Sequence, residues 1–314
     1  MVLGWLGAGL VFTWGLAQAL FPDATFAQGA LQVAGDWAAV PVVALLVVAL
    51  VAREHRLAAA SSSVVMLHLL ALSGLWGSRV TPPACGPSMT IVSANLLMVH
   101  PNPAPLFAEL EAWDADVYVL QEYSPRWDYL WMGSRVSTTH PYGTSLVRED
   151  SFGTAIWSRH PITAEVFDLG GVTQSRARVP FGAGEIDLIN VHVLPPRTSE
   201  YFPLWRQGLD DLVALAADEA VPFVITGDFN ASPWSKFARD MHGVADDAWE
   251  LIGTGFGTTW PNGVFPLPPA RIDHVFLSRD LTVTSFGIGD ALGSDHAPLR
   301  VEIAPRTGGG LCVQ

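Results

Sequence analysis

Three uncharged apolar runs crowd the first 77 residues, at 3–21, 37–52 and 57–77. A bilayer's hydrocarbon core takes about 20 helical residues, with a usual range of about 17–25, so the first and third runs are long enough to cross it. The second spans about 24 Å at helical rise and crosses with tilt or help from its neighbours. The head of the chain therefore reads as a three-helix transmembrane region. A cleaved signal peptide ending near Ala17-Gln18-Ala19 is the alternative, against which stand the missing basic n-region and the two further apolar runs. His68, inside the third run, reads as a neutral imidazole bonded to a neighbouring helix rather than as a functional intramembrane group.

Short-loop charge sets the orientation. The turn Arg53-Glu54-His55-Arg56 is basic, whereas residues 22–36 hold two acids and no Lys or Arg. The basic turn is expected in the cytoplasm, which puts the N-terminus inside and everything after residue 77 outside, with Arg79 the one contrary charge. The expected location is the plasma membrane, multi-pass, with an extracytoplasmic main domain.

Composition separates the parts. Of 17 basic and 30 acidic residues, three of each fall within residues 1–80, leaving 14 and 27 to the remainder and with them the whole net charge of -13. Affinity for duplex DNA comes largely from Lys and Arg neutralising phosphates. This chain has a single lysine, Lys236, so no tight duplex nucleic-acid binding is expected. The Pro-rich stretch 82–87 marks a boundary. The expected organisation is a membrane anchor at 1–80, a connector at 81–87 and a soluble domain at 88–314.

Within that domain, strand-like runs occupy 89–94, 117–120, 153–157, 176–181, 186–193 and 221–226. Helical spacing appears at 103–113 (Leu106, Phe107, Leu110) and at 203–217 (Trp205, Leu209, Leu212, Val213, Ala216), the latter with Pro203 in its first turn and Gly208 weakening its middle. The pattern is an α/β mixture, and pattern alone does not separate a two-sheet sandwich from a doubly wound sheet.

Polar residues gather at the strand ends. The run 221–226 stops at Gly227-Asp228-Phe229-Asn230, and similar clusters follow the other runs: Ser93-Ala94-Asn95, Gln121-Glu122, Asn190-Val191-His192, Arg271-Ile272-Asp273-His274 and Gly293-Ser294-Asp295-His296. One such cluster reads as an Asx turn. Several in series read as a site built on a sheet edge.

In this order and at these intervals the clusters, with the internal run Gly153-Thr154-Ala155-Ile156-Trp157-Ser158-Arg159-His160-Pro161, resemble the endonuclease/exonuclease/phosphatase superfamily over about residues 88–304. The anchor followed by this domain resembles the superfamily's membrane-bound bacterial branch, which includes VanJ-like teicoplanin-resistance proteins. The resemblance implies a deoxyribonuclease-like fold: a two-sheet β-sandwich flanked by helices. It also implies a divalent-metal phosphoesterase, with Glu122 as principal ligand of Mg²⁺ or Mn²⁺ and Asn95 and Asp295 as further oxygen donors. Asp228 would orient or deprotonate water, and Asn230 would hold a phosphoryl oxygen or share in metal binding. His296, fixed by Asp273, would contact the phosphate, and His192 would donate to a non-bridging oxygen. Asp228 and His296 are expected to face solvent at the sheet edge. Zinc is poorly supported, since both cysteines lie far from the clusters and no His-x-x-x-His occurs. Because the first and last strands would be neighbours in the resembled fold, Cys85 and Cys312 are expected to pair, two free thiols being the alternative.

Three functions remain open at this level: an enzyme acting on a lipid-linked phosphate or diphosphate of the envelope, an extracytoplasmic nuclease, and a non-catalytic receptor or scaffold on the same fold. The membrane bilayer is the expected partner, since the connector keeps the domain near the headgroups. Phe256, Trp260, Phe265 and Leu267 either dip into the interface or line a groove for an acyl or prenyl chain, or else pack as core.

Overall fold

The computed structural model describes residues 2–76, 79–262 and 268–312. Its N-terminal part holds α1 (Val2–Leu20), the short α2 (Phe26–Leu31) running into a 3-10 turn (Gln32–Trp37), α3 (Val40–Val51), and α4 (His55–Leu72), which ends in a 3-10 turn (Ser73–Trp76). One helix among the described residues, His55–Trp76, is long and apolar enough to cross a membrane, at 22 residues and a mean hydropathy of 1.6. A second qualifies only if Phe26–Trp37 and Val40–Val51, bent by 61° from each other, are taken as one broken span. Three clear crossings are therefore not shown. The second run falls short because its α-helix begins only at Val40, with a proline in its first turn, and twelve residues rise about 18 Å.

Residues 22–36, expected as a bare loop, instead fold and dock. Thr25 caps α2 through a reciprocal pair with Gln28, the Thr-x-x-Gln capping box that marks a helix start.

The rest of the chain forms two six-stranded mixed sheets with helices outside. One is ordered β11 (Leu281–Ile288), β12 (Leu299–Pro305), β1 (Met89–Asn95), β2 (Val117–Gln121), β4 (Thr154–Ser158), β3 (Tyr142–Leu146). The other runs β5 (Thr163–Leu169), β6 (Val172–Phe181), β7 (Gly184–His192), β8 (Phe223–Asp228), β10 (Asp273–Leu277), β9 (Asp246–Asp247). Each sheet has one parallel pair, β1 with β2 and β7 with β8. Parallel neighbours require a crossover, supplied by α5 (Ala104–Trp113) and α8 (Tyr201–Asp218). The shorter helices α6 (Pro125–Met132), α7 (Arg135–Thr139), α9 (Lys236–Val244) and α10 (Ala248–Ile252) complete the chain.

Strand parity decides what each residue packs against, because successive side chains alternate between faces. Ile91, Val117, Val119, Ile186, Leu188, Val224, Val275 and Leu277 meet between the sheets. Val92, Ala94, Tyr118 and Leu120 face outward under α5 and α6, while Ile189, Val191, Ile225 and Phe276 face outward under α8 and α9. Both faces are covered, which is why these strands read as continuous apolar runs. Gly208 is buried in α8 and lies against Gly170; the position that weakened the helix on propensity is a close backbone contact. Cys85 and Cys312 are bonded, with Cα atoms 5.6 Å apart, bringing the end of the connector to the chain's last described residue.

Candidate active site

The parallel pairs put the C-terminal ends of their strands at one edge of the sandwich. Asn95 is in register with Gln121, and His192 with Asp228. Antiparallel β10 meets them with its first residue, Asp273 opposite Asp228. Asn95, Gln121, His192, Asp228 and Asp273 all continue the inward-facing parity of their strands. The site is thus the polar end of the inter-sheet core, and this overturns the expectation of solvent-facing groups: Asp228 is 2% exposed and His296 5%.

Glu122 breaks the parity. A regular strand would turn it outward, but it takes φ 55°, and Leu97 and Asn230 are also left-handed at 57° and 49°. That conformation costs an L-residue other than Asn or Gly roughly 1–2 kcal/mol. It aims the Glu122 carboxylate into the cleft, where Oε2 accepts from the Met98 amide at 2.7 Å and Oε1 from Asn95 Nδ2 at 3.4 Å.

Asp228 is the hub. Its Oδ2 accepts from Asn95 Nδ2 at 3.1 Å and lies 3.5 Å from His192 Nε2 and 3.6 Å from His296 Nε2. Its Oδ1 accepts from the Asn230 amide at 2.9 Å. His296 Nδ1 pairs with Asp273 Oδ2 at 2.9 Å, so Nε2 is left facing the cleft. Burial pushes the Asp228 carboxyl above its ordinary range, offset in part by His296 and His192. Burial opposes charge on His296 as well, but Asp273 and Asp228 outweigh it and push its pKa up to about 10. The site thus joins a carboxylate made more basic to an imidazole made more cationic, a pairing suited to taking one proton and giving another.

Every predicted site residue reaches this edge, with details the sequence did not show. Asn95 presents its Nδ2, bridging two carboxylates. Asn230 is anchored by its own Nδ2 to Val193 O at 2.9 Å. Asp295 lines the same cleft and accepts from Trp260 Nε1 at 3.3 Å. His192 packs against Phe152 with the ring centroids 5.4 Å apart and the planes tilted by 38°, and its buried Nδ1 has no partner among the described residues. The cleft has a volume of about 620 Å³. For a divalent cation the donor chemistry fits: Glu122 and Asp295 offer hard carboxylate oxygens into it. Among the described residues, Asp228, Asp273 and His296 also bring ligand atoms within 4.8 Å of one another, as do His242, Asp247 and Glu250. The second group already holds a cation, the Arg271 guanidinium, 2.6 Å from Asp247 Oδ2.

Arg271 and His274 stay out of the site. Parity turns His274 outward, where it stacks with Phe276 and Nε2 pairs with Ala231 O at 2.8 Å. Reading residue by residue also missed the roles of Gln121 and Asn190, which join the sheets, and of Trp260. Phe256 packs at 5.5 Å from Trp37 and 5.3 Å from Trp76, against the N-terminal helices; Phe265 and Leu267 lie outside the described residues. His68 pairs through Nε2 with Asp36 O at 3.1 Å and stacks on Trp234.

Two facing mixed sheets carry an acid, amide and imidazole cluster at one edge, a site suited to chemistry on a phosphate. Residues 92–296 match the model of the Endonuclease/Exonuclease/phosphatase family, and the chain belongs to that family. Its members hydrolyse phosphoester bonds and are generally divalent-metal dependent. An endonuclease/exonuclease/phosphatase from Beutenbergia cavernae DSM 12333 superposes with a TM-score of 0.55 at 20% identity, over 71% of this chain and 72% of that one. D. rerio TDP2 complexed with a single-strand DNA product gives 0.59 at 17% identity, over 69% and 99%. Sphingomyelinase C from Streptomyces griseocarneus gives 0.50 at 15% identity, over 69% and 99%. At these identities the likeness concerns the fold alone. No curated protein matches the chain.

Proposed function

We propose that the protein is a membrane-anchored, extracytoplasmic, divalent-metal-dependent phosphoesterase acting on a lipid-linked phosphate or diphosphate of the cell envelope, akin to the VanJ-like branch. The observation that carries the catalytic part is the Asp228 carboxylate, within 3.6 Å of two imidazoles, one of them fixed by Asp273. Phosphate esters resist attack because their anionic oxygens repel the nucleophile. Asp228 orients a water and takes its proton as the oxygen bonds to phosphorus and the bond to the leaving oxygen breaks. His296 and His192 donate to the phosphoryl oxygens, and Asn230 fixes the Asp228 carboxylate through its amide. Glu122 and Asp295, with Asn95 beside them, would hold a Mg²⁺ or Mn²⁺ ion, which would supply neutralisation of phosphoryl charge.

The lipid part rests on the apolar helices before residue 77, the short connector and the acidic charge. A phosphoesterase assay on polyprenyl diphosphate, phospholipid, sphingomyelin and DNA, each with and without EDTA, tests it. Full activity in EDTA sinks the mechanism. An extracytoplasmic nuclease is the second reading, favoured by the fold shared with TDP2, whose structure holds a DNA product; cleavage of DNA with every lipid phosphate ignored would establish it.

A further inference from the structure

The family fold does not enclose the cleft alone. Gly29, Ala30 and Val33, from α2 and the turn after it, line it together with Phe152, Pro195 and Pro196. This segment joins the first apolar helix to the second, yet it is held as firmly as a core element. Gln32 is fully buried. Its Oε1 accepts from the Ser232 amide at 2.5 Å, its backbone carbonyl from Ser232 Oγ at 2.8 Å, and its Nε2 donates to Asn230 O at 3.3 Å. On either side, Asp23 Oδ2 accepts from the Lys236 amide at 2.6 Å and Asp36 Oδ1 from Trp234 Nε1 at 2.8 Å. The approach is close enough to demand glycine twice: a Cβ on Gly29 would stand 2.6 Å from Phe202, and one on Gly35 2.3 Å from Trp234. A mere tether would not be keyed to residues two and four positions past the catalytic Asp228.

We infer that this segment is a specificity element, with Ala30 and Val33 forming an apolar wall that receives a single alkyl or prenyl chain esterified to the phosphoryl group. The inference rests on the phosphoesterase reading and names which part of the substrate the extra wall recognises. Three observations select that occupant. The wall segment follows one apolar helix and precedes another along the chain, so on the membrane-anchored reading it would stand beside the bilayer. The rest of the cleft beyond the acid and imidazole cluster is largely apolar, and burying apolar chain surface there is favourable by about 25 cal/mol per Å². Finally, Glu149 sits on the lining unpaired among the described residues, its neighbour Asp150 is neutralised by Arg148 at 2.7 Å, and Arg197 is the one guanidinium or ammonium among the described lining residues. A polynucleotide would bring a further phosphate against the Glu149 carboxylate, whereas a monophosphate ester on an apolar chain would not.

The test uses the full chain in nanodiscs with Mg²⁺. Binding of hexyl phosphate and methyl phosphate is measured by calorimetry, and turnover is measured on the matching hexyl and methyl p-nitrophenyl phosphates. The wild type should favour the hexyl ligand by about tenfold or more, Val33→Asp should bring the ratio close to one, and the near-isosteric Val33→Thr, with its folding checked by circular dichroism, should fall between. Equal binding of the two ligands by the wild type, or an unchanged ratio in both variants, overturns the wall. So does a single-stranded oligonucleotide that displaces hexyl phosphate at equal phosphate concentration. Should no ester be turned over while the hexyl preference is present and lost in the variants, the wall stands and the catalytic reading falls.

Discussion

Gln121 Nε2 donates to Asn190 Oδ1 at 2.8 Å across the gap between the two sheets. Asn190 in turn donates to Leu120 O at 2.9 Å and Ala155 O at 3.1 Å, so one buried amide joins three strands. Glu122 follows Gln121, and His192 lies two residues beyond Asn190, so this join sets the spacing of the site. Asn190→Leu removes all three of these bonds and leaves Gln121 Nε2 only its longer ones to Val119 O at 3.3 Å and Ser93 Oγ at 3.4 Å, and a buried polar group that loses its partner costs about 1–3 kcal/mol. We expect a loss of about 3 kcal/mol in urea unfolding together with a lower kcat.

Asp228→Asn and His296→Ala remove the two groups at the hub. General acid–base catalysis contributes typically about 10²–10⁴-fold, and a fall in kcat of that order is expected for each. Because both residues are buried, circular dichroism and melting should be measured alongside. Activity within a factor of two of wild type in the Asp228 variant would refute the assignment.

Glu122→Gln removes a hard anionic oxygen while keeping size. The metal concentration for half-maximal activity should rise by about tenfold or more, since carboxylate oxygens dominate Mg²⁺ binding. A metal titration of activity checks it, and an unchanged midpoint would place the ion elsewhere.

Arg271 and Asp247 form a buried ion pair behind the site, 2.6 Å apart and each under 5% exposed. Removing one partner strands the other, a cost of about 3–5 kcal/mol, so Arg271→Met should be destabilised by roughly that amount in chemical unfolding.

The same pair gives an acid limb to stability. Burial alone would raise the Asp247 carboxyl, but Arg271 and His274 outweigh it and hold it well below the ordinary carboxylate range. The folded state then binds this proton less tightly than the unfolded chain does, so the contribution is complete above the unfolded pKa and is lost as pH falls through the folded one. Melting temperature should fall as pH drops from 5 toward 3, and Asp247→Asn should show a shallower slope from a lower starting point. An equal slope in the variant would assign the acid limb to other groups.

How much of this was legible follows from the range of each signal. Continuous apolar runs, turn residues and helical spacing are local, and they located β1, β2, β4, β7, β8, α5 and α8 to within a few residues. Every residue named for the site from its place at a strand end reaches one edge, because two parallel pairs align those ends. The parity rule was also present in the sequence: counting by twos along β10 separates Asp273 from His274, and along β8 it puts Asp228 in line with Val224. The capping box Thr25-x-x-Gln28 was a readable signal for α2. What only the tertiary structure decided depends on contacts between distant residues, which leave no periodic trace. Gln32 meets Ser232, Asp36 meets Trp234, and Trp37 donates to Pro269 O, so a loop read from its charges became a wall of the cleft. Burial of Asp228 and His296 likewise follows from two sheets closing over them. The left-handed turn at Glu122 follows from the fold as well, since nothing in a glutamate's own preferences asks for it.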